Sequence, residues 1–252
     1  MNVVVNGLMT NYHKVGSGKV VVCLPGWGNT ITSFSKLIEE LQDNYTVLAL
    51  DLPGFGGTQE PPTAWGLEDY ANFVAAWLDK IGVKNVFAII GHSYGGATAI
   101  YGVGKRVLKP KKLILLSSAG VRNKKSLRRK VIRAAAKTAK IPLKLLSSRQ
   151  RNKLRRKTYE ALGSDMLQLP HMEQTYKRII GEDVQAVARS IKVPTLLVYG
   201  TKDESTPAED GRILSTEIAG SKLEVIEGGG HFLHQEESAV VIKLTLDFLK
   251  AK

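Results

Sequence analysis

The sequence predicts a doubly wound α/β fold, in which helices cover both faces of a mostly parallel sheet. Short apolar runs rich in β-branched residues recur along the 252 residues, and segments with helical spacing separate them. Such runs are typical of strands buried on both faces, and their alternation with helices predicts the α/β class. The predicted strands are residues 20–24, 45–50, 86–90, 113–116, 195–199 and 223–226.

Two further elements follow from residue spacing. Residues 67–81 are predicted to form a helix that ends at Gly82, because their large apolar residues fall on one helical face. Residues 2–19 are predicted to form two short antiparallel strands, with turns at 6–7 and 16–18. The apolar residues of the helix are Tyr70, Phe73, Val74, Trp77, Leu78 and Ile81.

The composition is that of a globular protein, with 43% hydrophobic and 23% charged residues, and it excludes a disordered or collagen-like chain. The single cysteine, Cys23, has no partner for an intrachain disulfide, and residues 1–14 do not form a secretory signal. A cytoplasmic protein is therefore expected, with a peripheral position at a membrane surface left open. No run approaches the ~18 apolar residues of a membrane-spanning helix.

The positive charge is concentrated in one internal segment. The chain has 36 Lys and Arg against 23 Asp and Glu, a net charge of +13. Residues 121–190 hold 19 of the basic and 5 of the acidic residues, so this segment carries +14 and the rest carries −1. The segment is poor in predicted strands and rich in Lys, Arg, Ala and Leu. It is predicted to be a basic helical cap inserted into a core of residues 1–120 and 191–252.

The predicted cap bears on possible partners. Residues 123–140 predict a basic amphipathic helix, and a second basic run follows at 149–157. Two explanations of this charge stay open: a solvated outer face, or an anionic partner such as an anionic lipid surface or an acidic carrier protein. Nucleic acid is the least favoured partner, because the segment has few aromatic residues for base stacking.

A six-residue motif directly follows the predicted strand 86–90. Residues 91–96, GHSYGG, contain the pattern G-x-S-x-G, and a predicted helix comes next. In a nucleophile elbow the serine occupies a strained turn between strand and helix, and the flanking glycines let these elements approach closely. The position of the motif makes Ser93 the candidate nucleophile.

Outside the cap, the chain resembles the α/β-hydrolase family. Five motifs match in order: an oxyanion loop, a D-x-P-G-x-G turn, the elbow, an acid after a late strand and a histidine after the last strand. They correspond here to residues 25–28, residues 51–56, Ser93, Asp203 and His231. The order Ser, Asp, His is the one that this fold uses. The resemblance implies an α/β-hydrolase fold and the activity of a serine hydrolase.

The resemblance also implies a role for each catalytic candidate. Ser93 would be activated by His231 as general base, and Asp203 would fix the tautomer of His231 and stabilise the imidazolium. The adjacent Glu204 is the alternative acid.

The oxyanion hole is expected to use backbone N–H groups. Preorganised donors must face the negative charge that develops on the substrate oxygen. By the resemblance, these donors map to Trp27 and Tyr94. Pro25 stands where the family usually has a histidine. This departure bears on the shape of the loop, while the expected donors are still backbone N–H groups.

The remaining polar residues are given structural roles. Asp51 is expected to accept hydrogen bonds from backbone N–H groups of its turn, and Cys23 is expected in the core. His92 is predicted to point away from the nucleophile, and His234 is a weak substitute for His231. No cofactor or metal site is predicted, since no cluster has the spacing of metal ligands or of a nucleotide-binding loop. His13 and His171 are predicted to be surface or packing residues, with His171 also a candidate to face the pocket from the cap.

The function predicted from these residues is that of a carboxylesterase that cleaves small to medium acyl esters through an acyl-enzyme on Ser93. The same three residues also serve thioesterases, C–C hydrolases, amidases and perhydrolases, and these alternatives stay open. A non-catalytic binding module is the least favoured alternative. The sequence leaves the oligomeric state open.

Overall fold

The computed structural model describes residues 1–122 and 169–251, and eight strands within them form one sheet. The order across the sheet is β1-β2-β4-β3-β5-β6-β7-β8. The pairs β1–β2 and β2–β4 are antiparallel, and all other pairs are parallel. The mostly parallel α/β sheet is therefore confirmed. The strands are β1 (Asn2–Val5), β2 (Leu8–Val15), β3 (Lys19–Leu24), β4 (Tyr45–Leu50), β5 (Val86–His92), β6 (Lys112–Leu116), β7 (Thr195–Gly200) and β8 (Lys222–Ile226).

Helices lie between these strands in the described part of the chain. Two 3₁₀ turns, Ile31–Phe34 and Pro170–Met172, each precede a helix. The helices are α1 (Ser35–Leu41), α2 (Leu67–Lys80), α3 (Ser93–Gly104), α4 (Glu173–Ile180), α5 (Gln185–Ala188), α6 (Ala208–Glu217), α7 (Leu233–Glu236) and α8 (Ser238–Lys250).

Each central strand contributes side chains to two separate core layers. In β3, Val22 and Leu24 pack in the layer that contains the apolar faces of α2 and α3. Val21 and Cys23 pack in the opposite layer, which contains the apolar faces of α1 and α8. Successive side chains of a strand point to opposite faces, so a strand covered on both sides must be apolar throughout. This is why the strands are recognisable as continuous apolar runs.

The predicted elements outside the cap are present. Each of the six predicted strands occurs within two residues of its predicted bounds, and residues 2–19 contain the antiparallel pair β1 and β2. Helix α2 ends at Lys80, one residue earlier than predicted, and Gly82 follows with φ of +74°. Among the described residues, no helix has the length and apolar character needed to cross a membrane.

The predicted basic helices at 123–140 and 149–157 lie outside the described residues. The described end of the β6–β7 connection is helical and docks on the N-terminus of α2. Glu182 Oε2 accepts a hydrogen bond of 3.0 Å from Leu67 N, and Arg178 Nη1 donates one of 2.9 Å to Ala64 O. A carboxylate at a helix N-terminus is favoured by the unpaired N–H groups and the helix dipole. These contacts fix α4 against the core.

A buried lysine closes the C-terminal end of α8. Lys112, at the start of β6, is 8% exposed, and its Nζ donates to the backbone oxygens of Phe248, Leu249 and Ala251 at 2.7, 3.2 and 2.5 Å. The last carbonyls of a helix lack intrahelical partners, and a cation there also opposes the negative end of the helix dipole. The ammonium group therefore joins the middle of the sheet to α8.

We expect Lys112→Met to lower the free energy of unfolding by about 2 kcal/mol, because it removes charge-assisted hydrogen bonds from the backbone carbonyls at the end of α8. Urea unfolding at neutral pH measures this difference. Lys111→Met is the matched control, since the neighbouring Lys111 is exposed. Equal stability of the two variants would contradict the prediction.

Candidate active site

Ser93 lies in a sharp turn between β5 and α3. It is the first residue of α3 and has φ of +49°, a left-handed conformation that is rare for residues other than glycine. The turn projects Ser93 at the carboxyl end of β5. This geometry is the strained strand-to-helix turn that the motif predicts.

The flanking glycines allow backbone atoms to approach where a side chain would not fit. A Cβ on Gly95 would lie 2.1 Å from the backbone oxygen of Leu24, and a Cβ on Gly91 would lie 2.6 Å from the Cα of Gly96. Both distances are far below van der Waals contact, so the close passage of β3, β5 and α3 requires glycine at these two positions.

The structure brings together the three residues predicted as nucleophile, base and acid. His231 Nε2 lies 3.0 Å from Ser93 Oγ, and His231 Nδ1 lies 2.8 Å from Asp203 Oδ2. Both distances are hydrogen bonds. A proton can therefore pass from Ser93 to His231 while Asp203 holds the opposite side of the ring. Of the two adjacent acids, Asp203 makes this contact, and Glu204 is exposed.

His231 reaches Ser93 through a loop that crosses the end of β7. Ser93 follows β5 and His231 follows β8, three strands away, a distance of roughly 14 Å across the sheet. The backbone of residues 228–230 passes over the end of β7, where Lys202 N donates to Gly229 O at 2.9 Å. A Cβ on Gly200 would lie 2.1 Å from that same oxygen, so glycine is also required at the end of β7.

The carboxylate of Asp203 is buried and surrounded by donors. Its Oδ1 accepts from the backbone N–H groups of Ser205 and Thr206 at 2.8 and 2.9 Å. Its Oδ2 receives the Thr206 hydroxyl at 2.7 Å in addition to His231. Burial raises the pKa of Asp203, but the hydrogen bonds from His231 and Thr206 outweigh burial and hold the pKa below its ordinary value. Asp203 is therefore ionised at neutral pH and acts as an acceptor.

The predicted oxyanion loop packs directly on the elbow. A Cβ on Gly26 would lie 3.2 Å from the Cβ of Ser93, and Trp27 follows in the chain. Asn29 closes the turn, because its backbone N–H donates to Gly26 O at 3.1 Å and its side chain to Trp27 O at 3.1 Å. Tyr94 is the second residue of α3, so its N–H is among those that have no intrahelical acceptor. Both predicted donors thus belong to segments in contact with Ser93.

Aromatic side chains surround the indole ring of Trp27. Edge-to-face contacts join it to Phe55, Tyr94 and Tyr176, with ring centroids 4.9, 5.7 and 5.0 Å away. Tyr176 belongs to α4, so the β6–β7 connection supplies one member of this aromatic cluster. A cavity of about 400 Å³ lies beside the cluster and is lined by Gly28, the turn 54–56, Thr58, Glu60, Leu169 and His171.

Two buried histidines pack around His231. His92 Nε2 lies 2.9 Å from the backbone oxygen of His231, and the ring of His234 lies 4.3 Å from that of His92. Burial and the neighbouring histidines hold the pKa of His92 well below its ordinary value, and burial with His231 lowers the pKa of His234 to about 4. Both rings are therefore neutral near pH 7. A neutral His92 donates from Nε2 to the carbonyl and so fixes the backbone that carries His231.

The other polar candidates have structural contacts. Asp51 accepts from the backbone N–H groups of Ile31 and Gly57 at 2.8 and 2.9 Å, as the sequence predicts for its turn. Cys23 is fully buried, and burial raises the pKa of its thiol to about 12. His13 is exposed, and His171 lies at the cavity, with Nε2 3.8 Å from Glu60 Oε2.

Comparison with protein families shows to which family this chain belongs. A family model for the alpha/beta hydrolase fold matches residues 19–238. The chain belongs to the α/β-hydrolase family.

Individual relatives within the family cover nearly the whole chain. The 2-hydroxy-6-oxo-2,4-heptadienoate hydrolase of Pseudomonas putida is 27% identical over 269 residues, which cover 99% of this chain and 96% of that protein. Among solved structures, an enol-lactonase from Burkholderia xenovorans has a TM-score of 0.75 at 19% identity and covers all of both chains. An esterase from Exiguobacterium antarcticum has a TM-score of 0.74 at 21% identity and covers 98% of this chain and 97% of that one. Family and relatives support a hydrolase.

Sequence analysis of this α/β hydrolase missed two residues at the site. Thr206 contacts both Asp203 and His231, and Tyr176 packs on Trp27. Thr206 had a local signal, because an Asp followed at two and three residues by Ser and Thr favours a turn in which the carboxylate accepts their backbone N–H groups. Tyr176 had none, since its partner is distant in the chain.

The low pKa of His234 makes the stability of this α/β hydrolase depend on pH. Below about pH 6.5 the unfolded chain binds a proton at residue 234, whereas the folded protein, with a pKa of about 4 there, does not. The free energy of unfolding therefore falls as the pH drops from about 6.5 towards 4. This one group contributes a loss of about 2 kcal/mol between pH 7 and about pH 5.

We expect His234→Gln to reduce this loss between pH 7 and about pH 5, measured by urea unfolding at each pH. His13→Gln, which replaces an exposed histidine, is the control and should keep the wild-type dependence. A His234→Gln variant with the same pH dependence as the wild type would show that residue 234 is not the group responsible.

Proposed function

We propose that this α/β hydrolase is a carboxylesterase that forms an acyl-enzyme on Ser93. The observation that carries the proposal is the continuous set of hydrogen bonds from Ser93 through His231 to Asp203, at 3.0 and 2.8 Å. A serine hydroxyl is a weak nucleophile near pH 7. A histidine that accepts its proton, with an ionised carboxylate on the other side of the ring, makes it more reactive. The packing of Gly26 against Ser93 supports an oxyanion site at the same place.

The mechanism follows from this arrangement. Ser93 Oγ attacks the ester carbonyl while its proton moves to His231 Nε2, and the negative charge on the carbonyl oxygen is met by the N–H groups of Trp27 and Tyr94. The carbon–oxygen bond to the leaving alcohol then breaks, and His231 returns the proton to that oxygen. A water molecule repeats these steps on the acyl-enzyme, which releases the acid and restores Ser93. Asp203 stays ionised throughout and stabilises the protonated ring.

Cleavage of a carbon–carbon bond is the second candidate function. The observation that favours it is the near full-length relative from Pseudomonas putida, a 2-hydroxy-6-oxo-2,4-heptadienoate hydrolase. The two reactions make different demands on the site. An ester expels an oxygen that His231 can protonate directly, whereas a carbon leaving group must be protonated at carbon before or during cleavage. The contact of His231 with Ser93 supports the return of a proton to a leaving oxygen at this position, so we place the ester first.

We expect the protein to hydrolyse p-nitrophenyl butyrate and Ser93→Ala to lower kcat/KM by about 10⁴-fold or more, because the nucleophile is lost. A fluorophosphonate probe should add one group to the wild type, located on Ser93 by peptide mass spectrometry. Glu204→Gln is the control for Asp203→Asn, since the two acids are adjacent and Asp203 is the one hydrogen-bonded to His231 at 2.8 Å. Wild-type protein without turnover and without labelling would refute the proposal.

A substrate panel separates the two reactions. We expect measurable kcat/KM for p-nitrophenyl and simple alkyl esters from C2 to C8, and no loss of absorbance with a 2-hydroxy-6-oxo-2,4-dienoate, because the proposal has His231 protonate a leaving oxygen. Ser93→Ala is measured in parallel with every substrate to exclude background hydrolysis. Turnover of the dienoate with inactivity towards the esters would replace the first candidate with the second.

A further inference from the structure

A buried hydroxyl lies at the junction of the acid and the base. Thr206 is 6% exposed, and its Oγ1 lies 2.7 Å from Asp203 Oδ2 and 3.1 Å from His231 Nδ1. The same oxygen lies 3.0 Å from the backbone oxygen of Ser117, at the end of β6. One side chain therefore touches the acid, the base and a neighbouring strand.

The short distance to Asp203 assigns the hydroxyl proton. A threonine hydroxyl carries one proton, and an ionised carboxylate carries none. Two oxygens at 2.7 Å repel unless a proton lies between them, and Asp203 is ionised, so Thr206 donates to Asp203 Oδ2. The carbonyl of Ser117 at 3.0 Å is a secondary acceptor of the same proton. The lone pairs that remain on Oγ1 face the Nδ1–H of His231.

The Oδ2 atom of Asp203 consequently accepts two hydrogen bonds, from Thr206 and His231. We propose that Thr206 is a positioning residue, whose hydroxyl holds Oδ2 on the Nδ1 side of His231 and withdraws charge from the carboxylate. This inference rests on the proposed function, in which His231 is the general base. Without the hydroxyl, Asp203 is more basic and less fixed, so it stabilises the protonated ring more strongly and orients it less well.

The other titratable groups near His231 do not account for the expected change in its basicity. The change therefore comes from the hydrogen-bonded pair of His231 and Asp203. Among the described residues, the titratable groups that interact with the pair include His92 and His234 beside His231, and Tyr199 beside Asp203. His92 and His234 are buried and neutral at the pH of the assay. Burial keeps the pKa of Tyr199 well above its ordinary value, so it is neutral as well. Glu236 accepts from Gly230 N at 3.0 Å and belongs to the loop rather than to the pair.

The test compares Thr206→Val, which removes the hydroxyl at similar shape, with Thr206→Ser, which restores it. For Thr206→Val we expect kcat/KM for p-nitrophenyl butyrate to fall about tenfold, mainly in kcat. The acid limb of its pH profile should move up by about half a pH unit, because the more basic Asp203 holds the proton on His231. In proton NMR, the downfield resonance of His231 Nδ1–H, absent from Asp203→Asn, should shift. Thr206→Ser should restore the wild-type kcat/KM, the wild-type acid limb and the wild-type resonance of His231.

The control is Thr195→Val. Thr195 is also buried, with its hydroxyl 2.9 Å from the backbone oxygen of Val193, but it stands at the opposite end of β7 from Asp203. This variant reproduces the loss of a buried hydroxyl and should leave the pH profile and the resonance unchanged. If Thr206→Val does not fold, Thr206→Ala is measured with the same readouts.

Two results would overturn the proposal: an unchanged acid limb and resonance in an active Thr206→Val, or equal effects of Thr206→Val and Thr195→Val without rescue by serine. A failure of the proposed function is distinguishable, because wild type and Ser93→Ala would then be equally inactive towards esters. In that case the NMR resonance alone decides, and an unshifted signal in Thr206→Val overturns the role of Thr206.

Discussion

The close passage of three backbone segments around Ser93 is the constraint on which the site depends. The end of β3 lies too close for a Cβ on Gly95, the start of α3 lies too close for a Cβ on Gly91, and the resulting turn holds Ser93 at φ of +49°. A strained turn persists only where its surroundings over-determine it. Here the covered sheet provides that support, since β5 has strands on both sides and helical layers on both faces. The loops that carry His231 and Asp203 then need only reach the fixed position of Ser93.

The order of the strands in the sheet determines how His231 and Asp203 reach Ser93. His231 arrives from three strands away, over the end of β7, where glycine at residue 200 lets the backbones touch. Asp203 arrives from the loop after β7 and is charged although buried, because four donors surround its carboxylate. His92, in β5, holds the carbonyl of His231 and joins the segment of Ser93 to the segment of His231. The three elements therefore support one another through backbone contacts as much as through the reacting side chains.

Much of this arrangement is visible in the sequence because it depends on local signals. Apolar runs identify strands that are covered on both faces, and the glycine pattern around Ser93 identifies the turn. Ser93, Asp203 and His231 could be named because each follows a strand in the order that the fold uses. Contacts between distant side chains that belong to none of the family's motifs could not be predicted. The hydrogen bonds of Lys112 to the end of α8 and the packing of Tyr176 on Trp27 depend on how strands and helices stack, for which one chain carries no local pattern.

The aromatic cluster around Trp27 includes Tyr176, which is held differently from the residues around Ser93. A Cβ on Gly91, Gly95 or Gly200 would meet backbone atoms, so these positions around Ser93 and at the end of β7 are restricted to glycine. Tyr176, by contrast, approaches Trp27 from a helix of the β6–β7 connection, which is anchored through Glu182 and Arg178 at a separate place. Substitutions at residue 176 can therefore reshape the wall beside Trp27 while the reacting atoms keep their positions. Under the proposed function, changes in this helix would alter the choice of substrate and leave Ser93, His231 and Asp203 in place.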